Sequence, residues 1–226
     1  MLSTGLRVWT DNLLPFSVIS FLIYAPALAL RAVVSGPSWY LYLVPLQLLL
    51  NALIAASLTY GVVRDLEGTR PSLRDCILIG LRRGFSVIGV AALSSLAIFG
   101  GMIALVVPGI IVSLMLYVAV PVAIVEQLGV TASLGRSREL TMGHKSTLFG
   151  IVVVTWLVIA GITELGKSLL GPDLQIVAIL VANALTGSLT AVMAAVAYTD
   201  LRHAKDGTQV PELATALVVR VPHDRP

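Results

Sequence analysis

Charge is what this chain has least of. Only 12% of its 226 residues are Asp, Glu, Lys or Arg, and 57% are hydrophobic. A water-soluble domain carries about 25% charged residues. Half that fraction cannot solvate a globular surface, and the mean hydropathy of +0.94 points to lipid as the solvent for much of it. Cysteine is almost missing as well. The single Cys76 excludes an internal disulfide and any multi-cysteine metal site. Three histidines, His144, His203 and His223, fall on polar segments. Asp200 and Asp206 near His203 supply too few ligands for a metal centre. No glycine-rich phosphate loop with its lysine, no H-E-x-x-H pair and no G-x-S-x-G elbow occurs. The basic residues lack interleaved aromatics, which argues against nucleic acid as a partner. No cofactor is expected. Nor is a cleavable signal peptide, because Arg7 and Asp11 precede an apolar segment long enough to stay in the bilayer.

What the chain does have is long uncharged runs, at residues 12–30, 32–63, 84–125, 146–163 and 174–199. A membrane-crossing helix needs about 20 apolar residues. The run 84–125 holds 42 residues, enough for two. Pro108-Gly109 is its natural break, since proline suits the first turn of a following helix, and Gly100-Gly101 is the competing one. Six spans are predicted, near 13–34, 40–63, 85–107, 109–126, 147–165 and 174–199. With six, thirteen of the 15 basic residues lie on the side of both termini, and only Arg31 and Lys167 on the other. That bias places both termini in the cytoplasm and predicts a multi-pass protein of the cytoplasmic (inner) membrane.

Between the spans lie three short polar elements. Residues 2–12 put Leu2, Leu6, Trp9 and Leu13 on one helical face, with Arg7 and Asp11 as an i,i+4 pair elsewhere. Trp9 is expected at headgroup depth. The second element starts after Ser72, which with Asp75 has capping-box spacing. It gathers Leu73, Cys76, Ile77, Gly80, Leu81 and Gly84 on one side, leaving Arg82 and Arg83 to meet lipid phosphates. The third, about 131–143, is rich in small and hydroxyl residues and suits packing on protein. Arg136 and Glu139 are i,i+3 partners within it. Ser35-Gly36-Pro37-Ser38 makes an outer turn, and Trp39, Tyr40 and Tyr42 an aromatic belt. Pro121 is expected to kink the fourth span.

The layout recurs three times as surface helix, span, span. Leu6-Arg7, Leu73-Arg74 and Leu134-Gly135-Arg136 occupy similar places. The expected architecture is therefore all-α, with six transmembrane helices in three hairpins and amphipathic helices on the cytoplasmic side. A pseudo-threefold axis along the membrane normal would relate the repeats, about 1–68, 69–130 and 131–207. These form one membrane domain, 1–207, followed by a polar cytoplasmic tail, 208–226.

Pro108-Gly109-Ile110-Ile111, Pro121, Glu126, Leu134, Arg136-Ser137, Leu140-Thr141 and Gly143 resemble the conserved stretch of the glycerophosphoryl diester phosphodiesterase membrane-domain family and related bacterial membrane domains. Tyr198, Asp200-Leu201-Arg202 and Gly207 are similar to that family's ending. Glu67-Gly68 and Pro71-Ser72-Leu73 are similar to its first inner loop. The resemblance implies a membrane module. It does not carry the phosphodiesterase activity over, because the catalytic barrel of about 250 residues would exceed this whole chain.

Two sets of residues stand out as candidate sites. At the inner surface, Arg64, Arg82, Arg83, Arg136, Arg138 and Arg202 are candidates for lipid headgroups or a protein partner, since arginine binds phosphate bidentately. Asp65, Glu126, Glu139 and Asp200 could close a structural ion-pair ring with them. Within the membrane, Gln47 and Asn51 lie one turn apart, and Asn183 heads a small-residue face with Gly187, Ala191 and Ala195. Those amides admit an interhelical hydrogen bond or the polar lining of a substrate path. The first functional expectation is a non-enzymatic scaffold, accessory subunit or lipid-organising module in contact with anionic lipid, as a homo-oligomer or within a membrane complex. The alternative is a transporter of a lipid or small solute. It requires Gln47, Asn51, Asn183 and Thr186 to face one cavity, and separate tight helix contacts would exclude it. No acid–base pair supports an enzyme.

Overall fold

The computed structural model of the chain describes residues 1–33, 39–66, 73–169 and 175–207. These form ten helices, and no strand occurs among the described residues. In order they are α1 (Leu2–Asp11), α2 (Leu13–Val33), α3 (Trp39–Leu66), α4 (Leu73–Arg82), α5 (Gly84–Ala104), α6 (Val106–Met115), α7 (Ala119–Val125), α8 (Val130–Thr141), α9 (Lys145–Leu169) and α10 (Gln175–Asp206). Five stretches are long and apolar enough to cross a membrane: Leu46–Leu66, Ser86–Ala104, Val106–Val125, Lys145–Leu165 and Val181–Asp206. The pair α1 and α2, bent by 80°, makes a sixth if it counts as one. By length and composition these are the helices of a membrane protein. The expected turns at 34–38, 67–72 and 170–174, the Ser72 cap and the tail 208–226 lie outside the described residues.

The long helices sort by burial. Those of α3 and α10 are mostly buried and pack on each other, while α2, α5 and α9 lie around them. Apolar packing drives that sorting. Ile54 and Leu58 of α3, Leu189, Tyr198 and Leu201 of α10, Phe16 and Ile19 of α2, and Ile124 of α7 are fully buried. On the outside, Leu96, Phe99 and Ile103 of α5 and Trp156 and Leu157 of α9 are 65–72% exposed. Apolar rows of that extent suit hydrocarbon and would be a liability in water.

The short helices lie at one end of the bundle, α1 on α10, α4 on α3, and α8 on α7 and α5. Close approach of α4 depends on Gly80, where a Cβ would stand 2.2 Å from Ser57 Oγ. The face of α4 differs from the sequence expectation. Cys76, Ile79 and Gly80 are buried, and Leu81 is 59% exposed. The helix seats on the α3 surface, so its buried stripe keeps Cys76 and Gly80 and takes in Ile79 in place of Leu81. Burial and the nearby Asp75 charge push the Cys76 thiol up to about 12, so it is a protonated packing group at neutral pH. Trp9 is not a free headgroup anchor either, since its indole N–H donates to Ser188 Oγ of α10 at 3.0 Å.

One break lies away from its expected place, and the expected kink at Pro121 is a full interruption. The α5–α6 turn falls at Leu105, whose backbone is extended (φ −168°, ψ 145°), and not at Pro108-Gly109. Pro108 sits in the first turn of α6, where no intrahelical donor is required. Gly109 instead lets the two helices touch, because a Cβ there would lie 2.8 Å from the Met102 nitrogen. The predicted fourth span is also two helices, interrupted at Leu116–Val118, with Pro121 in the first turn of α7. The interruption frees the Met115 carbonyl, because Ala119 N–H turns to Leu116 O at 3.1 Å. Ser137 and Thr141 of α8 donate to that carbonyl at 2.8 and 3.4 Å. The hydroxyl-rich surface of α8 thus supplies the cap that the broken helix lacks.

Candidate functional site

A cavity of about 540 Å³ lies among the long helices. Helix α3 lines it from Gln47 through Asn51 and Ala55 to Thr59, and α10 from Asn183 through Thr186, Gly187 and Thr190 to Ala194. Tyr24 of α2, Ala91, Ser94 and Ser95 of α5, Tyr117, Val120 and Pro121 of the α6–α7 break and Ile159 of α9 complete the wall. Helical periodicity explains the assembly. Gln47, Asn51, Ala55 and Thr59 recur every four residues, as do Asn183, Gly187, Ala191 and Ala195, so each set shares a face. Small residues on both faces keep the helices from filling the space between them.

Asn51 and Thr190 are exposed although their neighbours Leu50, Ala52, Leu189 and Ala191 are buried. The Tyr24 hydroxyl and Asn51 Oδ1 hydrogen-bond between α2 and α3, and Tyr24 packs over Gly187 of α10. Thr59 donates to Ala55 O and Thr190 to Thr186 O, bonds that tie each hydroxyl to its own helix. Tyr117 and Ser94 differ, because their hydroxyls are buried without a hydrogen-bond partner. Beyond Thr59 and Ala194 the bundle closes on Val62, Val63, Val122, Val125 and Val196, each at most 1% exposed.

On the far side of that floor lies a charge network. Glu126 at the end of α7 accepts from Arg136 Nε at 3.2 Å and from the Tyr198 hydroxyl at 3.2 Å. Arg202 donates to the Tyr198 oxygen at 2.6 Å and stands 3.8 Å from Glu126. Arg136 also reaches Glu139 at 3.4 Å and pairs with Asp206. Arg202 Nε is 3.8 Å from Asp206, an ion pair too long for a hydrogen bond. Lys205 meets the Glu139 carbonyl. Glu126, Arg202 and Arg136 are 13%, 19% and 25% exposed at their side chains. Burial by itself would lower the Arg136 value, but Glu126, Asp206 and Glu139 hold it above the usual guanidinium range. Its stabilisation is therefore complete below the unfolded value and lost only as pH rises beyond it, so ordinary working pH leaves the network intact.

The sequence-selected residues fall into place unevenly. Glu126, Arg136, Glu139 and Arg202 converge as expected. Asp206 was not selected, because α10 was expected to end at 199 and runs to Asp206. Asp65 accepts from Asn12 at 2.8 Å, and Asp200 stands 3.0 Å from the Met1 ammonium. Arg64 lies 5.9 Å over the Tyr60 ring. Arg83 donates to the Ile124 carbonyl and lies against the Gln127 side chain, which supports Gln127 in a left-handed backbone (φ 56°). Arg82 and Arg138 are exposed. In the cavity, Gln47, Asn51, Asn183 and Thr186 share one wall space. Tyr24, Tyr117 and Ser94 were missed, since a lone hydroxyl in an apolar run carries no spacing signal.

No group of three or more His, Cys, Asp or Glu able to hold a metal occurs among the described residues. Compared with family models, curated proteins and solved structures, the chain has no significant match.

Proposed function

We propose that this chain is a non-enzymatic integral membrane protein that holds an uncharged lipid or small solute between its long helices, as a carrier or as a lipid-handling accessory module. One observation carries the reading. Gln47, Asn51, Asn183 and Thr186, the polar residues whose meeting a transport role requires, face one cavity of about 540 Å³. That volume falls within the roughly 300–1,000 Å³ of small-molecule sites. Two variants test it. Ala55→Phe and Ala194→Phe should fill the space without altering charge. Native mass spectrometry of protein taken from its own membranes in mild detergent should find a retained small molecule or lipid on the wild type. Both variants should lose it while keeping their melting temperature. Identical adducts on all three would rule the cavity out as the binding site.

The same proposal includes the orientation and the repeat. The basic end, with α1, α4 and α8, faces the cytoplasm by the positive-inside bias. Three hairpins related by a pseudo-threefold axis agree with the packing order, in which α3 meets α5, α6 meets α9 and α10 meets α2. The resemblance to the phosphodiesterase-linked membrane domain is kept on its residues alone. Of that motif, Glu126 and Arg136 join α7 to α8, and Ser137 and Thr141 cap the end of α6 before Pro121.

A second reading concerns the basic end. Arg74, Arg82 and Arg138 are exposed there and suit anionic headgroups, at about 1 kcal/mol for each arginine near the surface. In mixed nanodiscs, the double variant R82Q/R138Q should lower the enrichment of phosphatidylglycerol over phosphatidylcholine about thirtyfold. Equal enrichment would remove the lipid dock.

A further inference from the structure

We infer that the cavity takes an uncharged ligand bearing hydroxyl or carbonyl oxygens, a neutral single-chain lipid such as a monoacylglycerol. This rests on the cavity reading above and adds the chemistry of what is held. The polar groups on the wall are hydroxyls and amides, and no charged side chain is among the described residues that line it. An anion entering such a space gives up its water and meets no counter-charge, which is costly in low dielectric. Arg136 and Arg202 lie beyond the valine floor and are engaged with Glu126 and Asp206.

The wall also has hydrogen-bonding capacity left over. Ser94 on α5 and Tyr117 at the α6–α7 break line the same cavity, and both hydroxyls are buried without a partner. Buried orphans of this kind are rare in folded proteins and call for a missing partner. Nearer the other end stand the amides of Asn183 and Gln47. Amides and hydroxyls both donate and accept, so they match ligand hydroxyls and ester carbonyls and discriminate poorly among them. Phosphate, carboxylate and ammonium groups find no complement.

Shape narrows the class further. From Gln47 to Thr59 the lining of α3 extends about 18 Å at 1.5 Å per residue. Spread over that length, 540 Å³ gives a mean cross-section of about 30 Å². One hydrocarbon chain fits that section. Alanines and glycine (Ala52, Ala55, Gly187, Ala191) supply the smooth middle that a chain needs.

The test compares two probes of equal chain, monooleoylglycerol and oleoyl lysophosphatidate, titrated onto the full chain in detergent and read by native mass spectrometry. The neutral probe should bind at least about tenfold more tightly, and Ala55→Phe should abolish its binding. Tyr117→Phe and Ser94→Ala should each weaken it about fivefold. In the ligand-free protein both should leave the melting temperature equal or raise it, because they remove an orphan hydroxyl. A merely structural hydroxyl would lower it. Equal binding of both probes, removed by Ala55→Phe, would overturn the neutral-ligand assignment and leave the cavity reading standing. Binding unaffected by Ala55→Phe would overturn both. Binding of neither probe would overturn the assignment and leave a water-filled or differently occupied cavity.

Discussion

Glu126→Ala should lower the stability of the folded protein by about 3–5 kcal/mol, the usual cost of removing one partner of a buried ion pair. Glu126 accepts from two residues, Arg136 Nε at 3.2 Å and the Tyr198 hydroxyl at 3.2 Å, and forms an ion pair with Arg202 at 3.8 Å. Its removal leaves two guanidinium groups, 19% and 25% exposed, facing each other across a vacated site. It also unties α7 from α8 and α10 together. The neighbouring pair offers the control. Glu139 is 67% exposed, and such surface partners contribute about 0–1 kcal/mol. Thermal unfolding of E126A and E139A in the same detergent reads the contrast. If the two variants melt together, the network does not hold these helices.

Gly109→Leu should cost about 3 kcal/mol or prevent folding, as overpacking against backbone does. At Gly109 a Cβ would stand 2.8 Å from the Met102 backbone nitrogen, and at Gly101 a Cβ would stand 3.0 Å from Gly109 Cα. Neither backbone can retreat without opening the α5–α6 hairpin. Gly100, one residue away, has nothing within 4 Å of a built Cβ. Gly100→Ala should therefore stabilise by about 0.5–1 kcal/mol, the ordinary gain of alanine over glycine in a helix. Opposite outcomes at Gly109 and Gly100, read as melting temperature or as monodisperse yield, would fix the hairpin contact. A tolerated Gly109→Leu would mean that α5 and α6 do not meet there.

Much of this architecture was legible in one dimension. The long helices follow from the uncharged runs, because an apolar run of about 20 residues has few other stable forms in lipid. The pairs Arg7–Asp11 and Arg136–Glu139, at 3.6 and 3.4 Å, follow from helical spacing alone. Gln47 and Asn51 could be placed on one face for the same reason. The small, hydroxyl-rich α8 could be expected to pack on protein, and its buried Ser133, Ser137 and Thr141 do so.

Other features had no sequence signal. Pro121 marks the break at Leu116–Val118, one turn before it, but Ser137 and Thr141, which cap the Met115 carbonyl there, come from a distant helix. Leu81 of α4 counted as apolar and inward, yet the seat offered by α3 favours Ile79. Arg83 looked like a lipid contact until the Ile124 carbonyl came within its reach.

Composition and the placement of charge by themselves pointed to an all-helical chain and to the stretches long and apolar enough to cross a membrane. Those are properties of single helices and of their ends, and a helix's length and polarity are written in consecutive residues. Only the tertiary structure decided that amides from α3 and α10 share a cavity with Tyr24, Ser94 and Tyr117, and that Asp206 joins Glu126 and Arg136 across 80 residues of chain. Those depend on how far apart packed helices stand and how each is rotated. Small residues at a few contacts set both, and their effect is visible only once the helices are side by side.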